Sequence, residues 1–361
     1  MDRTERLRRC YANKEVDRPA VYVRMNGCPI NDPSYDRLRT YLQGHTELKL
    51  RWDGTQFEAP YPIEETLEAY SEDFVRRLTK LSTPKGDLWC SSLVGLKQQP
   101  GRHERYLLKT PEDAEKYLSL PLPEIGGDVS SFFTAVANMK GDGIVDVGLG
   151  FNPAGYVVEL FGSETFALMS ITDRDLLHCL CERQMAIITR RVKFLRDNAV
   201  GPFFHWAGEE YVAPPIHGPT DFCEFNIKYD KPIIDLIHDA GGRVHIHCHG
   251  SIKKVLRGFI DMGTDVLHPF EPPPMGDITA REAKALARDR LCLEGNIQIH
   301  RMYEATPGAI REETELLIAH AFDDHKGLIV NTTASPYIPG KGEVCFPQYK
   351  AMIDSVLHWK P

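Results

Sequence analysis

No stretch of the 361-residue chain approaches the roughly 20 consecutive apolar residues that cross a bilayer, so no membrane-spanning segment is expected. Basic residues are not in excess. The 43 Lys+Arg against 51 Asp+Glu leave a net charge of -8, which argues against a general nucleic-acid binder. The opening run Met1-Asp2-Arg3-Thr4-Glu5 has no apolar core and does not read as a secretory signal. Nine cysteines, an odd number, fit reduced thiols better than a disulfide framework, so a cytoplasmic protein is expected. No Gly-x-Gly-x-x-Gly follows an early strand and no Gly-Lys-Ser/Thr occurs, which weighs against the nucleotide-binding α/β folds. Internal repeats and low-complexity linkers are also missing. What is present, 42% hydrophobic and 26% charged residues, is the mixture of a globular enzyme. At roughly 150 residues per domain the length suggests two domains, although α/β barrels reach about 250 residues or more as one.

The second half alternates short apolar runs with amphipathic segments. Strands are expected at 143–148, 202–206, 243–249, 265–270, 290–296 and 327–332. Helices are expected at 173–198, 220–240, 252–262, 280–288, 307–325 and 347–358. This order implies right-handed βαβ units and a parallel sheet. Gly241-Gly242 breaks one helix from its strand, and Met262-Gly263 reads as a helix C-cap. Residues 1–140 are less regular, with early strands near 18–25 and 50–59 and an antiparallel hairpin across 84–108. Thr110-Pro111 opens a short helix, with Thr110 as its N-cap. Six later strands and two early ones make the eight of a (β/α)8 barrel; a doubly wound open sheet is the alternative.

The run Arg243-Val244-His245-Ile246-His247-Cys248-His249-Gly250 carries the most unusual chemistry. Residues two apart on a strand face the same way, so its three histidines share one face. In a barrel His247 and His249 would line the C-terminal mouth, with His245 a layer deeper. Neutral imidazoles at that spacing either grip a metal ion or hydrogen-bond within a polar core. Glu271, one βα unit further on before three prolines, reads as a metal ligand, a general base or a loop cap. In Phe203-Phe204-His205-Trp206-Ala207-Gly208-Glu209-Glu210-Tyr211 an apolar strand opens into aromatic and acidic residues, either a substrate pocket wall or a surface loop. His205, Trp206, Glu209 and Tyr211 are candidate substrate contacts, and Glu210 a candidate catalytic acid. Asn296 either orients a ligand or forms a turn, and Cys345 is either a thiolate ligand or a small packing residue.

Several segments, in order, resemble the uroporphyrinogen decarboxylase superfamily, which includes zinc methyltransferases acting with corrinoid proteins. They begin with Asp17-Arg18-Pro19-Ala20 and Lys109-Thr110-Pro111-Glu112-Asp113, followed by the histidine run ending at Gly250. Asp261-Met262-Gly263-Thr264-Asp265, Glu271-Pro272-Pro273-Pro274, Gly295-Asn296-Ile297 and Thr306-Pro307-Gly308 complete the set. The resemblance implies one (β/α)8 TIM-type barrel domain spanning 1–361, with an irregular N-terminal extension and an inserted hairpin. The methyltransferases carry His-x-Cys-Gly at this strand end, so His247 matches the family histidine and His249 stands where the cysteine would be. Glu271 falls where the more distantly related methionine synthases place a zinc-binding glutamate. The second family cysteine is replaced by the stretch Thr332, Thr333, Ala334 and Ser335.

The resemblance therefore implies a methyltransferase with zinc held by His247, His249 and Glu271, with Cys345 as a further candidate ligand. A methyl group would pass from a small donor such as a methyl ether or methylamine to a corrinoid on a separate partner protein. Without thiolates the donor set is hard and Lewis-acidic, which suits an oxygen-bearing substrate. The decarboxylase proper recognises its substrate carboxylates through an Arg-rich stretch after the first strand, where this chain has Arg24 alone. A decarboxylase positioning its substrate with Arg24 and a carboxylate, and a non-catalytic binding barrel, are the alternatives.

Overall fold

The computed structural model describes residues 1–54, 61–97 and 99–360. Its strands are β1 (Ala20–Val21), β2 (Leu48–Trp52), β3 (Ile63–Ala69), β4 (Phe74–Thr83), β5 (Gly86–Gly95), β6 (Arg102–Arg105) and β7 (Gly143–Phe151). They continue as β8 (Phe203–Ala207), β9 (Arg243–His247), β10 (Val266–His268), β11 (Cys292–Ile297) and β12 (Leu328–Thr332). Eight of them form one curled, wholly parallel sheet in the order β1-β12-β11-β10-β9-β8-β7-β2. Helices cover its outside, so its strands are near-continuous apolar runs such as Leu328-Ile329-Val330. The arrangement is TIM-like.

All six later strands fall where the hydrophobic pattern places them, and the helix ends follow turn chemistry. Thr110 accepts from the Asp113 N–H and Pro111 starts the helix Pro111–Leu118. Thr279 and Glu282 cap the helix Ala280–Ala287 reciprocally. Gly263, at φ +96°, closes the helix Leu256–Met262 in a conformation that β-carbons disfavour.

Other boundaries differ from expectation. β9 stops at His247 and β10 at His268, leaving His249 and Glu271 in the loops beyond. The last helix is Gly342–Leu357, with Pro347 inside it and not at its start, which puts Cys345 in the first turn. The strand expected at 50–59 is β2, and residues 55–59 of that range lie outside the described residues. The expected hairpin is two strands of a four-stranded antiparallel sheet, β3-β4-β5-β6. Its inner face seats Leu81 and Leu88 against Tyr117, Phe161 and Leu177. Its outer face carries ion pairs, Arg76–Glu104 at 2.7 Å and Lys80–Asp87 at 3.0 Å.

The N-terminal helix Arg3–Tyr11 lies across the N-terminal ends of the parallel strands. Thr4 donates to the Gly143 carbonyl at 2.7 Å, the Cys10 thiol approaches the Leu328 carbonyl, and Tyr11 packs edge-on against Phe203. That end is closed by apolar packing, so chemistry is left to the other.

The two edge strands meet through Glu47. Its N–H donates to the Val21 carbonyl at 3.0 Å and its carboxylate accepts from the Val21 N–H at 2.6 Å. Arg6 at 2.6 Å and Arg18 at 2.8 Å neutralise this fully buried group. Beyond this point the edges frame a cavity of about 570 Å3 lined by Val23, Met25, Leu42, Leu50 and Met139. Glu47→Gln leaves two guanidinium groups without their counter-charge, although Arg6 keeps Asp17 at 2.8 Å. Urea unfolding of this variant is expected to show a loss of about 3 kcal/mol, the lower end for breaking a buried pair.

Candidate active site

The sheet turns Asp146 of β7, His205 of β8, His245 and His247 of β9, His268 of β10 and Glu294 of β11 into a cavity of about 60 Å3. Tyr22, Arg24, Lys49 and Arg51 complete its wall. The register sets the layers: His205 pairs with His245, while Ala207 and His268 both pair with His247. Charges concentrate in the deeper layer. Lys49 donates to Glu294 at 2.8 Å and stands 3.9 Å from Asp146. Asn331 donates to the other Glu294 oxygen at 2.9 Å.

Burial alone would push the carboxyl of Glu294 up, but Lys49 and His245 outweigh it and hold the group ionised, well below the usual range. Burial likewise opposes the ionised form of Asp146, yet His205 and Lys49 bring it down to about 2. The imidazoles shift towards neutrality. Burial and the Lys49 charge lower His245. Burial, His268 and Arg24 hold His247 well below its ordinary value. Burial is the main force bringing His268 down to about 3, against the opposing pull of Glu294.

A consistent proton pattern runs through the upper layer. His268 Nε2–H donates to the Thr332 carbonyl at 3.0 Å, which leaves Nδ1 bare. His247 Nδ1 lies 2.8 Å from that nitrogen and therefore carries the hydrogen. Arg24 Nη1 stands 3.2 and 3.3 Å from the two His247 nitrogens. His249, its ring centroid 4.6 Å from that of His247, pairs with Glu271 at 3.0 Å, and the Gly250 N–H caps the same carboxylate oxygen at 3.1 Å. Burial opposes the Glu271 charge, but the His249 and Gly250 hydrogen bonds lower its pKa.

The expected ligands His247, His249 and Glu271 are neighbours, but their ligand atoms do not all lie within 4.8 Å of one another. His247 is engaged by Arg24 and His268, whereas His249 and Glu271 pair at the loop above. Cys345 lies buried in its helix, with its thiol donating to the Gly342 carbonyl at 3.3 Å, and burial pushes it up to about 12. A thiol so protonated is a packing residue. Among the described residues, the three-residue set whose ligand atoms lie within 4.8 Å of one another is His245, His268 and Glu294. His245 was expected a layer deeper, whereas Glu294 and His268 were not anticipated. Their signal was a charged or ionisable side chain inside an otherwise apolar strand run, as in Cys292-Leu293-Glu294.

The expected substrate contacts divide as well. Arg24 and His205 line the cavity. Trp206 borders the cavity but is only 1% exposed, and its indole N–H donates to the buried Glu209 at 2.6 Å. Tyr211 donates to Glu159 at 3.0 Å. Glu210 is half-buried, with one oxygen accepting from the Gly208 N–H at 3.0 Å. Burial raises its pKa, against smaller opposing pulls from His249 and Arg24 nearby. Asn296 ties its amide nitrogen to the Phe270 carbonyl and leaves its buried Oδ1 unpartnered.

Comparison with known proteins follows from this geometry. A parallel α/β sheet with its polar cavity enclosed by strand residues defines a TIM-like enzyme scaffold. The chain belongs to the uroporphyrinogen decarboxylase (URO-D) family, whose model matches residues 107–339. Its fold is similar to that of a methyltransferase from Methanosarcina mazei, at 12% identity and a TM-score of 0.62 over 98% of this chain and 99% of that one. An inferred vitamin-B12-independent methionine synthase from Listeria monocytogenes aligns at 10% identity over 68% and 74% of the two chains, with a TM-score of 0.43. A D-psicose 3-epimerase from Clostridium cellulolyticum H10 aligns at 9% identity over 63% and 92%, with a TM-score of 0.35. No curated protein matches the chain significantly. Among the described residues, no helix is long and apolar enough to cross a membrane.

Outside the cavity, the carboxyls of Glu209 and Asp230 are both fully buried and act on each other through their charges. Two buried like charges this close favour a proton on the pair. Burial raises both groups well above the ordinary carboxyl range, and Asn152 donates to Asp230 at 3.0 Å. The unfolded chain releases these protons above pH about 4, whereas the folded chain retains them. Stability therefore falls as pH rises from about 4 towards the raised folded values. Asp230→Asn supplies a permanent N–H in place of that proton. Its stability relative to the parent is expected to rise by about 1 kcal/mol or more between pH 5 and pH 8 in urea unfolding. An unchanged difference would show that the pair holds no proton.

Proposed function

We propose that the chain is a methyltransferase, taking a methyl group from a small donor and passing it to a corrinoid protein docked at the strand C-termini. In this reading the curled sheet is a closed (β/α)8 barrel forming a single domain. The observation that carries it is the cavity of about 60 Å3, faced by two fixed cations and neutral imidazoles. A space of that size takes a group of a few atoms, such as a methyl ether or methylamine, and not a tetrapyrrole.

The transfer R–X–CH3 + Co(I) + H+ → R–XH + CH3–Co(III) asks the protein for two things. Negative charge developing on X must be offset, and X must receive a proton. Arg24 and Lys49 supply positive charge at the cavity wall. Glu210, whose carboxyl pKa burial raises, is the proposed donor to the leaving atom. Glu271, paired with His249, holds the loop above the cavity, and the free Asn296 carbonyl oxygen is available to orient the donor. His247, His249 and Glu271 do not converge, so no step is routed through a metal there.

The decarboxylase alternative requires cationic partners for several carboxylates, and Arg24 is already turned to His247. The test is to incubate the purified chain with cob(I)alamin and a panel of methyl ethers, methanol and methylamines, following methylcobalamin absorbance. Turnover with at least one donor is expected, reduced by about a hundredfold or more in Glu210→Gln. Release of CO2 from uroporphyrinogen at roughly 1 per second or faster would overturn the reading.

A further inference from the structure

We infer that His245, His268 and Glu294 form a divalent-metal site of zinc type, one layer below the position that resemblance to the methyltransferases suggests. The site goes beyond the proposed methyl transfer and stands on different observations. The ligand atoms of the three residues lie within 4.8 Å of one another, and all three residues are buried. Neither ring nitrogen of His245 has a hydrogen-bond partner among the described residues, although the side chain is 8% exposed and faces the cavity. A buried imidazole with both nitrogens unsatisfied is costly unless something else occupies its lone pair.

The spacing fits an ion. His245 Nε2 lies 3.5 Å from Glu294 Oε2, too far for a good hydrogen bond. Two ligands bound at about 2.1 Å in a tetrahedron stand about 3.4 Å apart. His268 commits Nε2 to the Thr332 carbonyl, a partner that fixes the tautomer and leaves the Nδ1 lone pair, which accepts from His247 at 2.8 Å, to be taken over by the ion as His247 gives way. Lys49 shares Glu294 Oε2 with the incoming ion but has Asp146 at 3.9 Å as a second carboxylate to take. Two imidazoles and one carboxylate leave a fourth position open towards the cavity, the pattern of a catalytic rather than a structural zinc site.

The test uses the full chain stripped with a chelator and titrated with Co2+ as a spectroscopic probe, with zinc content read separately by elemental analysis. One ion per chain is expected, with tetrahedral d–d absorption lost on adding Zn2+. His245→Ala breaks no protein hydrogen bond, so it should fold, as circular dichroism will check, and should weaken Co2+ binding at least tenfold. Glu294→Gln should do the same, but it also strips Lys49 of its partner, so the decision rests on His245→Ala. His249→Ala, altered in the loop above, should bind Co2+ as the parent does. Absence of Co2+ absorption in the parent overturns the site. So does binding that survives His245→Ala, or binding that is lost in His249→Ala alone.

Discussion

The ion pair between Lys49 and Glu294 organises the inside of this protein. It joins β2 to β11 across the curl of the sheet, and Asn331 on β12 and His245 on β9 gather around the same carboxylate. TIM-type barrels usually fill this space with layers of branched apolar side chains. Here the layer is charged, and charges out of water are tolerated only when matched. Removing either member would strand the other at a cost of about 3–5 kcal/mol. The pair also sets the protonation of its surroundings. The Lys49 ammonium helps keep both Glu294 and Asp146 ionised and disfavours a second positive charge on His245.

That field explains how one small volume holds carboxylates and imidazoles in the states chemistry needs. An isolated Asp beside a histidine would raise the histidine's pKa. In this cavity burial, Arg24 and Lys49 together exceed the pull of Glu294 and Asp146, so His245, His247 and His268 stay neutral. Neutral imidazoles next to ionised carboxylates can bind metal or accept protons without first losing one.

Much of the scaffold was legible in the sequence because parallel strands are buried on both faces and announce themselves as apolar runs. The runs ending at Thr332 and Ala207 are examples, and Thr110-Pro111 and Met262-Gly263 marked helix ends through their backbone preferences. β3 was not legible. Its Ile63-Glu64-Glu65-Thr66-Leu67-Glu68-Ala69 is exposed throughout, so no burial pattern was imprinted on it. In the site, the shared face of His245 and His247 followed from alternation alone. The same alternation turns the Trp206 ring to the other side of β8, while Glu209 lies in the turn after the strand, which the adjacency of aromatic and acidic residues concealed. Glu294 and Asp146 were overlooked because each is a single charge within its strand, and Lys49 because it shares a short strand with Arg51. Their partners lie on other strands, and only the curl of the sheet brings them together.

The family resemblance points to β9, and the inferred metal site lies one layer deeper on the same strand. Where relatives carry a cysteine this chain has His249, which sits beyond the end of β9 with its ring on Glu271. A thiolate is short and must be supplied close to its ion, whereas an imidazole carries its nitrogens further from the backbone. Exchanging the first for the second at one strand end changes where a lone pair can reach. With His249 and Glu271 satisfied by each other, the unpartnered groups of the deeper layer include both ring nitrogens of His245. The inferred donor set lies one inward-facing position down the same strand, at the level where the Lys49–Glu294 pair already holds a carboxylate ionised.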